Sequence, residues 1–208
     1  MRPSKVIGVT GTIASGKSTA CRYLEEHYGM RRIDADQVGH EVTKSPEVVR
    51  ELTKAFGKAI LDSAGKLDRR RLGRIVFRDP DSLKRLNEIT HPVICQQIAE
   101  EIKRFRKDPG KMPCLLLEAI ELLRTPLVDL VDEVWVVWAE DEIRIQRVMQ
   151  RQNLTREEAE ERVWGQWSQD SYMAAADVRI DGSGSIEALY RELDRKVAER
   201  MSAFDGKE

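Results

Sequence analysis

The chain is 208 residues long, 41% hydrophobic and 34% charged, enough for one core with an insertion and too apolar for a disordered chain. Lys plus Arg number 35 against 36 Asp plus Glu, and a net charge of -1 argues against a general nucleic-acid or membrane-surface binder, whose affinity rests on a basic excess. No apolar run approaches the roughly 18 residues of a membrane span, and no signal-peptide pattern opens the chain. The widely spaced Cys21, Cys95 and Cys114 fit no metal or redox motif and suit reduced thiols, so the expectation is a cytoplasmic protein.

In chain order, Lys5-Val6-Ile7-Gly8-Val9-Thr10 is short, β-branched and closed by Gly11, which predicts a buried strand. Cys21, Leu24 and Tyr28, with Gly29 beyond them, predict a helix over 17–28. A short strand over 30–33 runs into Asp34-Ala35-Asp36. From there the pattern turns helical. Val48, Val49, Leu52 and Phe56 make one stripe, Leu72, Ile75 and Val76 another, and a helix over 92–106 carries Val93, Ile94, Ile98 and Ile102. Pro92 suits the first turn of that helix, where a missing N–H costs nothing.

Strands over 114–117 and 133–138 are continuously apolar, as strands covered on both faces of a parallel sheet are. Charged helices over 141–152 and 156–175 follow, then a strand over 178–180, a turn and a closing amphipathic helix over 186–201. Trp135 and Trp138 read as core, and Trp164 and Trp167 as residues that pack the lid base or face a ligand, with packing the first expectation. Strands alternating with helices predict an α/β three-layer fold on a five-stranded parallel sheet. Its core takes residues 1–36, 113–140 and 176–208, with a helical insertion over 37–112 and a helical lid over 141–175.

Between the first strand and helix stands Gly11-Thr12-Ile13-Ala14-Ser15-Gly16-Lys17-Ser18, followed by Thr19. It satisfies G-x-x-x-x-G-K-S/T in the strand–loop–helix context of a P-loop. Such a loop folds back so that successive backbone N–H groups face phosphate oxygens, and the helix N-terminus adds partial positive charge. Gly11, Ala14, Ser15, Gly16, Lys17, Ser18 and Thr19 are the candidate residues for binding a nucleotide triphosphate. Lys17 would reach the β- and γ-phosphates, and the Ser18 hydroxyl would ligate Mg²⁺.

Asp34 and Asp36 follow a strand's C-terminal end, where open α/β sheets keep their ligands. One carboxylate can approach Mg²⁺ and the other accept a proton from an attacking hydroxyl; equally, an Asp here can cap the next helix. Glu118 ends the third strand, where it either holds Mg²⁺ through a water or is an ordinary strand-end acid. Arg144, Arg147 and Arg151 share one helix face. They fit a lid that neutralises a transferring phosphoryl group, or a solvated face paired with Glu140 and Glu142. Asp68-Arg69-Arg70-Arg71 with Arg74 either grips substrate phosphates or is a solvated helix start.

Together these residues resemble the dephospho-CoA kinase family, over about residues 5–195. The resemblance rests on Ile7-Gly8-Val9-Thr10-Gly11, on Ile33-Asp34-Ala35-Asp36, on Leu67-Asp68-Arg69-Arg70 with Phe77, and on Leu86-Asn87-Glu88-Ile89-Thr90-His91-Pro92. Gln146-Arg147, Arg151, Arg162, Gln166, Ala176-Asp177 and Ile180-Asp181 complete it in order. It implies a P-loop kinase fold and ATP-dependent phosphorylation of the ribose 3′-hydroxyl of dephospho-CoA, the last step of coenzyme A synthesis. Asp36 would be the general base, acting with Lys17 and Arg147, while Arg147 and Arg151 would meet ATP. Asp34, Asp36, Arg69, Arg70, Asn87 and His91 would serve the acceptor.

The implied partners are Mg-ATP and dephospho-CoA, with no nucleic acid and no membrane, for a monomer or weak homo-oligomer. Another small-molecule P-loop kinase, acting on a nucleoside, nucleotide or sugar acid, is the alternative. The chain departs from the family pattern at Thr12 and Ala14, where glycine is general, along 118–124, at Tyr172, commonly Lys, and at Gly182, usually Asn.

Overall fold

The computed structural model describes residues 5–110, 114–165 and 167–205, so Gln166 and the boundary expected at 113 lie outside the described residues. In order the chain forms β1 (Lys5–Thr10), α1 (Lys17–Tyr28), β2 (Arg31–Asp34), α2 (Ala35–Val42), α3 (Pro46–Phe56), α4 (Arg69–Val76) and α5 (Pro80–Lys107). Then come β3 (Cys114–Glu118), β4 (Glu133–Trp138), α6 (Asp141–Gln152), α7 (Arg156–Trp164), α8 (Gln169–Ala174), β5 (Val178–Asp181) and α9 (Ile186–Asp205).

The strands form one five-stranded parallel sheet in the order β2-β3-β1-β4-β5, with Val9 opposite Glu118, Ile7 opposite Glu133 and Trp135 opposite Val178. After β3 the chain crosses back over β1 to reach β4. The C-terminal ends of β1 and β3 therefore open at the switch in direction, where sheets of this kind bind ligands. One face of the sheet packs Ile7, Val9, Leu116, Trp135 and Ile180 against Cys21 and Leu24 of α1 and Leu189 and Leu193 of α9. Each such buried side chain contributes roughly 1.5–3 kcal/mol. On the other face a 3₁₀ turn, Leu122–Arg124, comes so near β1 that a Cβ at Gly8 would stand 2.5 Å from Leu122 Cδ2.

The contacts divide the chain into two compact units, residues 34–101 and the remainder. The 34–101 unit is helical and has its own core of Val42, Val48, Leu52, Ile60, Leu72 and Val76. Ser45 caps α3 ahead of Pro46, and the Asp68 carboxylate caps α4 by accepting from the Arg70 and Arg71 N–H groups.

Three expectations are corrected. Pro92 does not open a helix but lies inside the 28-residue α5. The start signal belongs to Asp79-Pro80: the Asp79 carboxylate accepts from the Ser82 N–H at 3.0 Å, and the apolar stripe of Leu86, Ile89, Val93 and Ile94 runs on past 92. The helix expected over 156–175 is two, because α7 ends at Gly165 and Ser168 caps α8 afresh. That break leaves Trp164 61% and Trp167 41% exposed where packing was expected. The Trp167 ring instead meets Tyr172 edge-on and lies under the Arg124 guanidinium. Among the described residues no helix is long and apolar enough to cross a membrane.

Candidate active site

The loop after β1 has a backbone that only particular residues accept. Gly11 lies at φ 142 and Gly16 at φ 104, and a Cβ on Gly11 would stand 2.1 Å from the Val137 carbonyl oxygen of β4. The turn after β5 also presses on the loop: a Cβ on Gly182 would stand 2.0 Å from the Ser15 carbonyl oxygen. The glycine at 182 is therefore required by contact with the loop. Ala14, at φ 59, holds a left-handed conformation that costs a residue with a Cβ roughly 1–2 kcal/mol.

α1 opens on Lys17 with no capping side chain and no acid in its first turn. Its first N–H groups and dipole are thus left for an anion. Lys17 itself is only 8% exposed. The hydroxyl oxygens of Thr12 and Ser15 are buried without a hydrogen-bond partner among the described residues. Buried polar atoms of that kind mark a place where a ligand supplies the missing bonds.

At the loop's exit, Ser18 Oγ donates to Glu118 Oε1 at 2.5 Å, and Arg32 grips Glu118 Oε2 from Nε at 2.8 Å and Nη2 at 2.6 Å. Glu118 is 5% exposed, and burying a carboxylate is costly unless it is paired and hydrogen-bonded. Beside it, burial first and the Glu118 charge second push the Cys21 thiol well above its ordinary pKa, so it stays protonated. Among the described residues no group of three or more His, Cys, Asp or Glu could hold a metal unaided. One hydroxyl beside one carboxylate fits Mg²⁺, a hard ion that takes few protein ligands and fills its octahedron with water and phosphate oxygens.

Arg32, the charged partner of Glu118, is a residue that sequence reading missed. The available signal was a cation inside a short strand, useful only once β2 is known to lie beside β3.

The three arginines of the α6 row differ in their surroundings. Arg144 is 3% exposed and donates from Nε to the Ile13 carbonyl at 3.2 Å, from Nη2 to the Val163 carbonyl at 3.3 Å and from Nη1 to Asp141 at 2.8 Å. Its charged partner is thus Asp141, not Glu140 or Glu142. Arg147 donates to the carbonyls of Ala14 at 3.1 Å and Gly182 at 2.7 Å. Burial lowers the pKa of both, aided at Arg147 by the Arg151 charge and opposed at Arg144 by Asp141. Arg151 is exposed. The side chains of Ile13 and Ala14 pack on Ile145, Val148, Ala159 and Val163 of α6 and α7. The same two helices are pinned by Arg156, which meets Glu142 at 2.7 and 3.0 Å. That hydrogen bonding holds Glu142 down at about 2.

The structure thus brings Gly11 to Thr19, Glu118, Arg147 and Arg151 into one unit, and places the remaining candidates in the 34–101 unit. There Asp34 caps α2, its Oδ1 accepting from the Asp36 N–H at 3.0 Å and the Gln37 N–H at 3.2 Å. Asp36 lies exposed in the first turn, where the helix dipole favours a carboxylate. Asn87 and His91 are half-buried and four apart on α5, so they share a face. Arg69 and Arg70 are exposed at the start of α4.

Comparison with known proteins agrees with this geometry. The family model for dephospho-CoA kinase matches residues 5–188. A dephospho-CoA kinase of Geobacter sulfurreducens is 40% identical over 197 residues, spanning 94% of this chain and 98% of that protein. Among solved structures, a protein from Thermus thermophilus shares 33% identity at a TM-score of 0.76, covering 95% of this chain and 98% of that one. Dephospho-CoA kinase from Campylobacter jejuni shares 29% identity at a TM-score of 0.65, covering 94% and 97%. With its phosphate loop at the sheet's switch point and that match over most of its length, the chain belongs to the dephospho-CoA kinase family.

Proposed function

We propose that this chain transfers the γ-phosphoryl group of ATP to the ribose 3′-hydroxyl of dephospho-CoA, yielding CoA and ADP in the cytoplasm. The observation that carries the reading is the glycine-shaped loop with two orphan hydroxyls at an uncapped helix start, in a chain that matches the family model over residues 5–188.

In this reading the loop N–H groups and Lys17 hold the β- and γ-phosphates, as Gly11, Ala14, Ser15, Gly16 and Thr19 shape the cradle. Ser18 directly and Glu118 through a water would hold Mg²⁺, which spreads the phosphoryl charge when bound. Asp36 takes the proton of the attacking 3′-hydroxyl. Asp34, whose Oδ1 is committed to capping α2, orients the helix that carries Asp36. Arg69, Arg70, Asn87 and His91 receive the acceptor, with residues 37–112 as the acceptor-binding insertion. Arg147 and Arg151 add positive charge at ATP from the 141–175 segment, which shields the reaction from water.

An ADP-release assay with Mg-ATP and dephospho-CoA, nucleosides, shikimate or gluconate tests this. Turnover with dephospho-CoA alone, and CoA identified by mass spectrometry, is the expected result. Turnover with another acceptor and none with dephospho-CoA would overturn the acceptor assignment.

A further inference from the structure

Where α6 and α7 touch the phosphate loop, three observations coincide. Ala14 holds φ 59, where a side chain is rarely tolerated. The buried Arg144 guanidinium ties the Ile13 carbonyl to the Val163 carbonyl at the end of α7. Ile13 and Ala14 also pack into the apolar cluster that α6 and α7 share.

We infer that Arg144 is a positioning residue for nucleotide binding, acting through the peptide that joins Ile13 to Ala14. A trans peptide is planar, with its C=O and N–H pointing opposite ways. Holding the Ile13 carbonyl towards α6 therefore aims the Ala14 N–H away from α6. The same anchor keeps residue 14 in its left-handed conformation, because turning that peptide over would break the bond to Arg144. A guanidinium this buried is costly to desolvate, and an apolar side chain of similar length would fill the space without joining two carbonyls. Arg144 thus supplies what glycine would supply at position 14, a loop that rests in its phosphate-binding shape. The inference relies on the reading of Gly11 to Ser18 as the ATP loop.

The test is a double-mutant cycle between R144M and A14G, with ATP affinity measured calorimetrically on folded protein at low temperature and acceptor KM at saturating ATP. R144M is expected to weaken ATP binding about tenfold in the native background and about threefold or less in the A14G background, because glycine adopts the left-handed region at no steric cost. Acceptor KM should shift less than twofold in both, by the same logic of separate sites. A merely structural role would lower the melting temperature without that split. ATP affinity within twofold of the parent, or an equal loss in both backgrounds, overturns the inference. Should R144M not fold, R144K keeps the charge while losing the fork that spans two carbonyls, and the same comparison decides. A parent chain that fails to bind ATP would overturn the kinase reading instead.

Discussion

The two ends of the phosphate loop are fastened by different chemistry. At the exit, Ser18 and Arg32 converge on one carboxylate, with Ser18 at 2.5 Å and Arg32 at 2.6 and 2.8 Å. At the entry, Arg144 and Arg147 hold main-chain carbonyls of Ile13 and Ala14 at 3.2 and 3.1 Å. The exit clamp holds one ion pair, Arg32 with Glu118, so removing either charge strands the other. The entry brace is indifferent to the loop's side chains, because any residue offers a carbonyl. One end is therefore fragile to single substitutions in its partners, whereas the other depends on arginines that lie 131 and 133 positions away.

The largest effect that would sharpen this contrast is on chemistry alone. Lys17→Ala should lower kcat on the order of a thousandfold while the melting temperature stays close to the parent's. Asp36→Asn, in the other unit, should lower kcat by about 10²–10⁴ with ATP affinity within twofold; near-normal turnover would remove Asp36 as the base. Next comes the exit clamp. Arg32→Met leaves Glu118 buried without its guanidinium and should cost about 3 kcal/mol in urea unfolding, and adding Glu118→Gln should recover more than half of it. No recovery in the double variant would break the idea of mutual dependence.

Gly182→Ala forces a Cβ to within 2.0 Å of the Ser15 carbonyl oxygen. It should cost about 1–3 kcal/mol and weaken ATP binding, because the atoms the Cβ meets are backbone and cannot swing aside. The smallest effect concerns pH. Glu142 is held at about 2 by Arg156, below its ordinary 4.5, so the stability it lends is present above pH 4.5 and is lost as pH falls towards 2. Both groups are exposed, so the effect should be modest and fade in high salt. Glu142→Gln should flatten the melting-temperature profile across that window; an unchanged profile would show that the pair contributes nothing.

Legibility in the sequence follows the same division. β1 and α1 are readable to the residue because Gly11 and Gly29 punctuate them and their apolar spacing is unbroken. The phosphate loop is readable because its function fixes residue types at fixed spacing. The arginine row shows which residues share a face of α6, but a spacing says nothing of which way the face looks. Arg144 turns out to face inwards, onto carbonyls that no side-chain pattern marks. Arg32 was invisible for another reason: its partner lies 86 positions on, and β2 lies beside β3 only through the crossing order of the sheet. Pro92 misled because proline marks helix starts more often than interiors, although Asp79-Pro80 carried the same signal with a capping carboxylate. At Asp34 two uses were open, and the bonds to the Asp36 and Gln37 N–H groups show the cap in use.

The close approach at Gly11 and Gly182 has a consequence for how such a chain can drift. The walls that shape the phosphate loop are the carbonyl of Val137, against Gly11, and the turn at Gly182, against Ser15. A mould made of main-chain atoms survives changes of side chain all around it. That leaves room for Thr12 and Ala14 inside the loop and for Glu118 with Arg32 at its edge, while the two glycines at the walls are the positions least free to change.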